Sequence, residues 1–327
     1  MVLAELSLRL NEVGYKNWLK AGYCLMKLKD GLQGFVNNEM KLFHERVINN
    51  NANLRRGQCR NNCRSKGNQL HSLCPLCSEW RREIVRHHTN PSAVVNWGNC
   101  RPWLWSAEHW ELAKAFMPRG QADVTRAEQC DAAALLNLLH FCDHFSYIDP
   151  KLVKEVSTAA YRKVIRCRNE LMHSCEMRVS AQWMRSYQRS LELLLQPLQH
   201  VHEVAVTRQH IQETLSIDWS VHVPGVDRVD GSEAKEIELE SISKWETELL
   251  RERLHELLLC ADQEETLSPE DQQSLQTLKA FLQNQEDLKE LFSEELQTSH
   301  AMGDGLQGAA EGVQTSESPE SDSADVL

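Results

Sequence analysis

The spacing of apolar residues along the chain predicts helices through its first two hundred positions. Between Tyr15 and Phe43, apolar side chains recur every three or four residues, which is typical of one long amphipathic helix. Gly31 and Gly34 predict that this helix is interrupted or bent. No segment sustains the apolar and polar alternation of period two that marks a strand. The predicted fold class is therefore all-α.

Start signals divide the remainder of this region into further helices. Ser106 is placed to cap a short helix, and Asp149 followed by Pro150 predicts the start of a helix that runs to about His173. Ser180 can cap the helix after that one. The segment DAAALLNLLHFCDHF is apolar on nearly every face, which favours a central core helix. Together these helices predict a bundle.

The composition changes after the bundle and predicts a second module. A turn-rich polar segment indicates a linker, and the two amphipathic helices that follow predict an antiparallel hairpin or coiled coil. The last segment contains six acidic residues and no lysine or arginine, which is typical of disorder. The predicted units are the bundle 1–218 with a cysteine-rich insert 47–104, the linker 219–233, the hairpin 234–298 and a disordered acidic tail 299–327.

Charge is divided unequally between the two halves of the chain. Residues 1–200 contain 28 Lys and Arg against 18 Asp and Glu, whereas residues 201–327 contain 8 against 29. No acidic residue occurs between Glu45 and Glu79. This stretch predicts an RNA-binding surface, with the candidate contacts Arg55, Arg56, Arg60 and Arg64; the alternative is a solvated loop without a ligand. The acidic half could also dock on the basic half and mask it.

Two cysteine pairs within the insert predict a metal site. Cys59 and Cys63 are separated by three residues, and Cys74 and Cys77 by two, which matches the ligand count of a tetrahedral structural zinc centre. The first spacing departs from the commoner two residues, so another side chain can replace a cysteine. Four unlinked thiols are the alternative interpretation. The possible substitute ligands are His71, His87, His88 and Cys100.

The segment RCRNELMHS contains the candidate catalytic residues. Residues five apart on an unbroken helix diverge by about 140°, so Arg168 and His173 can act together only at a helix end, at a distortion or across two subunits. Arg82 and His87 have the same spacing, so the spacing alone has little weight. The alternative is that His173 caps its own helix and Arg168 is an exposed charge.

A resemblance to a known family supports a functional interpretation of this motif. The order NWLKAGYCLMKLKDGLQGFV, WELAKAFMPRG, DAAALLNLLHFCDHF and KVIRCRNELMHS resembles the HEPN domain, in the subgroup found in DAZ-interacting zinc-finger ubiquitin ligases. The resemblance covers roughly residues 10–200. It implies an RNA-binding protein, or a metal-independent endoribonuclease that acts as a dimer, with Arg168, Asn169 and His173 at its site. HEPN domains that serve only as dimerising scaffolds provide the alternative.

The chemistry of these residue types suits RNA cleavage without a metal ion. A histidine can move the proton of the 2′-hydroxyl at neutral pH, and an arginine can hold the phosphate through its fork of donors. Arg162 and Arg166 would extend the basic track upstream. If the motif is composite, a cleft between two subunits would be expected to contain both copies of His173. At an exposed motif, alanine substitutions would change stability by less than about 0.5 kcal/mol.

The remaining expectations concern partners and location. Single-stranded RNA and a second copy of the chain are the expected partners, and the acidic helices could recruit other proteins. No apolar run approaches the roughly 18 residues of a membrane span. The absence of a secretion signal and the odd number of cysteines, eleven, predict the cytoplasm or nucleus.

Overall fold

The computed structural model describes residues 8–89, 95–147, 154–174, 176–217, 219, 239–263 and 268–296. The prediction of an all-α fold is confirmed, because the described residues are mainly helical and their sheet has two short strands. The elements are α1 Val13–Asn50, β1 Arg64–Lys66, β2 Gln69–His71, α2 Pro75–Arg86, α3 His109–Ala113, α4 Ala132–Phe141, α5 Lys154–Met172, α6 Ala181–Leu195, α7 His202–Ser216, α8 Leu239–Gln263, α9 Pro269–Asn284 and α10 Glu286–Leu291.

Helix α1 is the central element of the bundle, and it is continuous. The Glu12 carboxylate caps its first turn by accepting the N–H groups of Gly14 and Tyr15. The predicted interruption at Gly31 and Gly34 is wrong. Gly31 instead permits close packing, since a Cβ atom there would lie 2.2 Å from Thr207 Oγ1 on α7. A small residue was needed at a helix crossing, where the sequence pattern suggested a break.

Helices α4 to α7 complete the bundle around α1. The apolar helix predicted near residue 131 is α4, whose first turn is capped by Asp131. Ser180 caps α6 as predicted, whereas α3 begins after Glu108 without a side-chain cap, so the prediction for Ser106 is wrong. The predicted start at Asp149 and Pro150 lies outside the described residues. Helix α5 ends at Met172, one residue before His173.

The cysteine-rich insert packs against the C-terminal half of α1. Strands β1 and β2 form an antiparallel hairpin whose turn contains Gly67 at a φ of 55°, a left-handed conformation that glycine adopts readily. Helix α2 follows, and its Trp80 is buried against His44 with their rings 5.2 Å apart. His44 Nε2 also lies 2.7 Å from the carbonyl oxygen of Trp105. These contacts fix the insert to the bundle.

Helices α8, α9 and α10, here called the acidic hairpin, pack on the N-terminal half of α1. Leu249 of α8 fills the space left by Gly22, where an added Cβ atom would lie 2.1 Å from Leu249 Cδ2. The rings of Tyr23 and Trp245 stack with their centroids 3.8 Å apart. The linker residues after Trp219 and the tail 299–327 lie outside the described residues. The hairpin residues 239–263 and 268–296 therefore share a core with the bundle.

Polar contacts at Arg9 join the residues just before α1 to the acidic hairpin. Arg9 forms a two-bond ion pair with Glu246 at 2.7 and 2.9 Å, and its Nη2 also lies 2.9 Å from Asp287 Oδ2. The Tyr15 hydroxyl donates a hydrogen bond of 2.5 Å to Glu246. Because Arg9, Tyr15 and Glu246 are buried, these contacts anchor the acidic hairpin at a point separate from the Arg168 motif.

Across the described ranges, no helix has the length and apolar character that crossing a lipid bilayer would require.

Candidate functional site

The end of α5 brings Arg168 and His173 to one carboxylate. Arg168 Nη1 lies 2.5 Å from Glu256 Oε1, and His173 Nε2 lies 3.5 Å from the same oxygen. The His173 N–H still donates to the Asn169 carbonyl at 2.9 Å, so the last turn of α5 is intact, and the shared oxygen of Glu256 on α8 is what joins the two side chains. The two side chains therefore meet within one chain, and a second subunit is not needed to bring them together.

Three carboxylates surround the Arg168 guanidinium. Besides Glu256, Arg168 Nη2 lies 3.0 Å from Asp131 Oδ2 and 3.4 Å from Glu252 Oε1. Arg168 has an exposed fraction of only 4%. The interpretation of Arg168 as an exposed charge is therefore wrong, and so is the expectation of an exposed motif. Its network of ion pairs joins α4, α5 and α8.

His173 and Asn169 are the exposed members of the motif. The His173 side chain is 39% exposed and its Nδ1 lies 3.4 Å from Asp271 Oδ1, in the first turn of α9. Asn169 is exposed, and its carbonyl oxygen accepts the N–H of His173. Arg168 and His173 have Glu256 Oε1 as a common partner, so the structure brings these two members of the motif together.

The charges of this cluster shift the pKa values of its members. Burial, and then the neighbouring Asp131, raise the pKa of Glu252 to about 7. The hydrogen bond with Glu256 raises the pKa of His173 above its usual value, against the effect of burial. Burial would raise the pKa of Glu256, but the contacts with His173 and Arg168 outweigh it and the pKa falls. Glu252 therefore holds a proton more readily than an isolated carboxylate would, and Glu256 less readily.

Four acidic members of this cluster were not predicted from the sequence. They are Asp131, Glu252, Glu256 and Asp271. Glu252 and Glu256 are four residues apart on α8, so they lie on one helix face, and this spacing was the available signal. No pattern in the sequence indicated which helix that face would meet.

A cavity of about 540 Å³ adjoins the Arg168 cluster. It lies between α1, the segment before α4, and α8, and two of the Arg168 partners, Asp131 and Glu252, are in its wall. Its other charged or aromatic lining residues are Lys27, Lys29, Lys244, Asp30, Glu248, Tyr23 and Trp245. The cavity combines amines, carboxylates and ring edges beside a buried guanidinium.

The predicted basic track at Arg162 and Arg166 faces solvent. The Arg166 side chain is 81% exposed and pairs with Glu170 at 2.8 Å. Arg162 is exposed, and its Nε lies 3.4 Å from His140 Nε2. Both arginines are on α5, but neither is among the ion-pair partners of the Arg168 cluster.

The four predicted cysteines form one cluster in the insert. The Sγ atoms of Cys59, Cys63, Cys74 and Cys77 all lie within 4.8 Å of one another, so the group could hold a metal ion. The backbone N–H of Cys74 donates to Cys63 Sγ at 3.2 Å, and that of Cys77 donates to Cys74 Sγ at 3.5 Å. Such donors favour thiolate ligands.

The proposed substitute ligands do not join this cluster. Among the residues that the structure describes, the side chains close enough together to bind one metal ion are the four cysteines and none of the substitutes. His87 Nδ1 lies 2.8 Å from Asp143, and His88 stacks on Phe116 and Phe141. Cys100 is buried and His71 is exposed. The cysteine-only ligand set is therefore the one that the geometry supports.

Arginine side chains of the insert point outward, while its two carboxylates point inward. Glu79 and Glu83 are 7% and 4% exposed, and both accept hydrogen bonds from Asn51 Nδ2, at 2.8 and 2.7 Å. Arg82 and Arg86 are 69% and 68% exposed although they pair with these carboxylates. The other exposed basic residues are Arg55, Arg60, Arg64, Lys66 and Arg81, whereas the side chain of Arg56 is outside the described set.

Comparison with known proteins identifies relatives along nearly the whole chain. The family model described as "Domain of unknown function (DUF4559)" matches residues 9–318. A mouse protein named "Uncharacterized protein CXorf38 homolog" is 42% identical over 303 residues, which cover 91% of this chain and 92% of the mouse protein. No solved structure matches. With a match that spans the bundle, the insert and the acidic hairpin, the chain belongs to the DUF4559 family.

Proposed function

We propose that this protein binds single-stranded RNA through the arginine-rich surface of a zinc-ordered insert. The observation that carries the proposal is the orientation of the charges: arginines face solvent while Glu79 and Glu83 are buried and hydrogen-bonded. An outward positive surface attracts the phosphate backbone and releases its counterions. The resemblance of the bundle to HEPN domains, whose members with an intact motif include RNA binders, supports the same proposal.

Zinc is the metal proposed for the cysteine cluster. Tetrahedral zinc with bonds of about 2.3 Å to sulfur requires sulfur atoms about 3.8 Å apart. Cys59 Sγ lies 3.7 Å from Cys63 Sγ and 3.8 Å from Cys74 Sγ, which fits this requirement. Four protein ligands leave no open coordination position, so the ion would order the insert without acting on a substrate.

Metal analysis and one substitution test the zinc centre. About one zinc per chain is expected in protein purified without chelator, since a structural zinc contributes folding free energy directly. Cys74→Ser should lose the metal and increase amide exchange in β1 and β2, while Cys167→Ser, outside the cluster, should retain both. Metal-free protein with an ordered insert would refute the assignment.

RNA binding is tested by removing exposed arginines from two surfaces. The insert variant Arg60→Ala/Arg64→Ala/Arg81→Ala should weaken binding of a labelled oligouridylate and reduce the salt slope by up to about 2, since each lost phosphate contact contributes about 0.7. The matched control is Arg119→Ala/Arg185→Ala/Arg189→Ala, which removes the same charge from exposed positions of the bundle. Equal losses in the two variants would contradict a specific role for the insert.

The burial of Arg168 favours a second candidate function, a non-catalytic scaffold. Its three carboxylate partners leave it without access to a phosphate while the hairpin is docked. In this alternative the protein dimerises through its bundle, and exposed faces of the acidic helices recruit other proteins. The test is cleavage of single-stranded RNA by wild-type protein in the presence of chelator. Cleavage that is lost in His173→Ala would support an endoribonuclease and would exclude a purely non-catalytic scaffold.

A further inference from the structure

One residue of a tryptophan-rich segment faces solvent. Trp105 and Trp110 are 0% and 2% exposed, whereas Trp103 is 40% exposed. Trp97 turns the edge of its ring toward Trp105, with the two centroids 6.0 Å apart. Among the residues that the structure describes, no aromatic ring stacks on Trp103. Three indoles of this segment are therefore used in packing, and the fourth presents its ring to a ligand.

Trp103 lies beside the basic hairpin of the insert. It belongs to the helical turn Pro102–Leu104, which packs beside strand β1. The Ser65 hydroxyl of β1 donates a hydrogen bond of 2.8 Å to the Cys100 carbonyl, so the hairpin is fixed to the segment that carries Trp103. Both neighbours of Ser65 in the strand are basic and exposed. The indole and these cations are thus parts of one ordered unit.

Helix α2 contacts the same turn and brings a further cation to it. Cys77 Sγ lies 3.4 Å from the carbonyl oxygen of Pro102, the residue before Trp103. Arg81 follows Cys77 by four residues, so the two side chains share one face of α2. Arg81 is exposed and belongs to a surface groove of about 410 Å³, whose other lining residues are Ser78, Arg82 and Val85. Arg81 is therefore one helical turn from the contact with this segment.

Carboxylates near the turn do not cancel this positive charge. Glu111 is buried and pairs with Lys114 at 2.8 Å. Asp123 is exposed and lies 3.4 Å from Arg101, and Glu108 is exposed directly after the turn. The exposed basic residues of β1 and of the first turns of α2 outnumber these two exposed carboxylates; they are Arg64, Lys66, Arg81 and Arg82.

An exposed indole among cations matches what an unpaired nucleotide offers. The face of an unpaired base stacks on an aromatic side chain, whereas the bases of a duplex are already stacked on one another. The phosphates on either side of that base then require cations. A protein ligand could also cover an apolar ring, but the excess of positive charge around Trp103 favours a polyanion.

From this arrangement we infer that Trp103 is the base-stacking residue of the insert and gives its RNA surface a preference for unpaired nucleotides. The inference rests on the proposed function, RNA binding by the insert, and specifies which nucleic acid that surface accepts. The indole stacks on one base while Arg64 and Arg81 contact the adjoining phosphates. Binding therefore has two contributions, a stacking contribution from Trp103 and a phosphate contribution that falls with salt.

The first test replaces the indole in the full chain. Trp103→Leu removes the aromatic face and keeps an apolar side chain, so affinity for a labelled oligouridylate should fall about tenfold. The salt slope should stay as in wild-type protein, because no phosphate contact is lost. Trp103→Phe should retain much of the affinity. Wild-type affinity in Trp103→Leu would overturn the inference.

Abasic and duplex probes show whether Trp103 acts on bases. Wild-type protein should bind oligouridylate more tightly than an abasic strand with the same number of phosphates and more tightly than duplex RNA. Both preferences should disappear in Trp103→Leu. Leu193→Ala, at a side chain of α6 that is also 40% exposed, is the matched control and should keep them. An equal loss of affinity for all three probes in Trp103→Leu would overturn the inference, since stacking acts only on bases.

A measurement on wild-type protein keeps the inference testable if Trp103→Leu disturbs the zinc centre. Oligouridylate that contains iodouridine should crosslink to Trp103 on irradiation, because the halogenated base lies against the indole. Crosslinks confined to other residues would overturn the assignment. So would a Trp103→Leu variant that loses self-association and retains RNA affinity, since the ring would then contact protein.

These outcomes are distinct from those that test the proposed function. Suppose wild-type protein binds RNA, the insert variant Arg60→Ala/Arg64→Ala/Arg81→Ala binds weakly and Trp103→Leu binds normally; only the role of Trp103 is then refuted. If wild-type protein binds none of the probes, the proposed function and this inference both fail. A preference for oligouridylate over the abasic strand that persists in the arginine variant would support stacking at Trp103 separately from the phosphate contacts.

Discussion

At the scale of single residues, burial determines how Arg168 must be interpreted. The sequence permitted an exposed arginine at a helix end, but the side chain is enclosed by carboxylates from α4 and α8. Burial would lower the pKa of Arg168, yet its neighbours Glu256 and Asp131 raise it, so the guanidinium stays charged. A residue chosen for possible catalysis thus also contributes to stability.

Arg168→Ala is expected to destabilise the protein. The substitution leaves Asp131, Glu252 and Glu256 without their shared cation, and removing one partner of a buried ion pair typically costs about 3 kcal/mol. Urea unfolding should show this loss in the free energy of unfolding. The matched substitution Arg166→Ala, at a side chain that is 81% exposed, should change it by less than about 0.5 kcal/mol. Equal stability of the two variants would contradict the structural role of Arg168.

At the scale of elements, two glycines of α1 differ in the space that surrounds them. Gly22 faces α8, where a Cβ atom would lie 2.1 Å from Leu249 Cδ2 and 2.9 Å from Leu249 Cγ. A Cβ atom added at Gly34 would meet no residue of the described ranges within 4 Å beyond its own helical turn. Of these two glycines, the sequence predicted only Gly34 as a weak point of the helix, whereas the packing of the acidic hairpin makes Gly22 the position with the close contact.

Gly22→Ala should therefore loosen the acidic hairpin, whereas Gly34→Ala should stabilise α1. Overpacking at Gly22 is expected to cost about 1–3 kcal/mol, visible as faster amide exchange in α8. In the interior of a helix, alanine is favoured over glycine by up to about 1 kcal/mol, and this gain should appear in the melting of Gly34→Ala. Unchanged exchange of α8 in Gly22→Ala would show that the hairpin does not depend on this contact.

At the scale of the whole molecule, α1 separates the arginine-rich insert from the Arg168 cluster. The insert contacts α1 at His44 and Asn51, while α5 is fixed near its other end by a hydrogen bond from Trp18 Nε1 to the Leu171 carbonyl. With a rise of about 1.5 Å per residue, these points are roughly 40–50 Å apart. A change at one surface does not reach the other by direct contact, so the two can be tested independently.

Docking of the acidic hairpin at the motif is expected to weaken as the pH rises from about 5 to 8. Glu252 has a raised pKa of about 7 when docked, and the pKa of His173 is also raised, so the docked state binds more protons than the undocked state. For Glu252 and His173, the stabilisation of the docked state is complete at pH values below the ordinary pKa of the group. It is lost as the pH rises past the raised pKa that the group has in the docked state. The charged groups that face Glu252 are Arg168, Asp131 and Glu256. Those that face His173 are Glu256, Asp271 and Arg168. The lowered pKa of Glu256 has the opposite effect on docking, but only at acid pH.

Amide exchange of α8 measures this dependence. After correction for the chemical exchange rate, protection should fall between about pH 5 and 8. Glu252→Gln should flatten the profile, because the residue with the largest shift no longer titrates, whereas Glu286→Gln at an exposed position should not. Stronger protection of α8 at pH 8 than at pH 6 would refute the expectation.

The amino-acid sequence by itself determined the helical class, the cap at Ser180 and the membership of the four cysteines in one cluster, since periodicity, capping and ligand spacing are local properties. It could not determine that α8 would meet α5. Glu252 and Glu256 have one helical face in common, but their partner Arg168 lies more than eighty residues earlier in the chain. Only the tertiary structure decided that the motif is covered, because burial and ion pairing depend on which faces pack together.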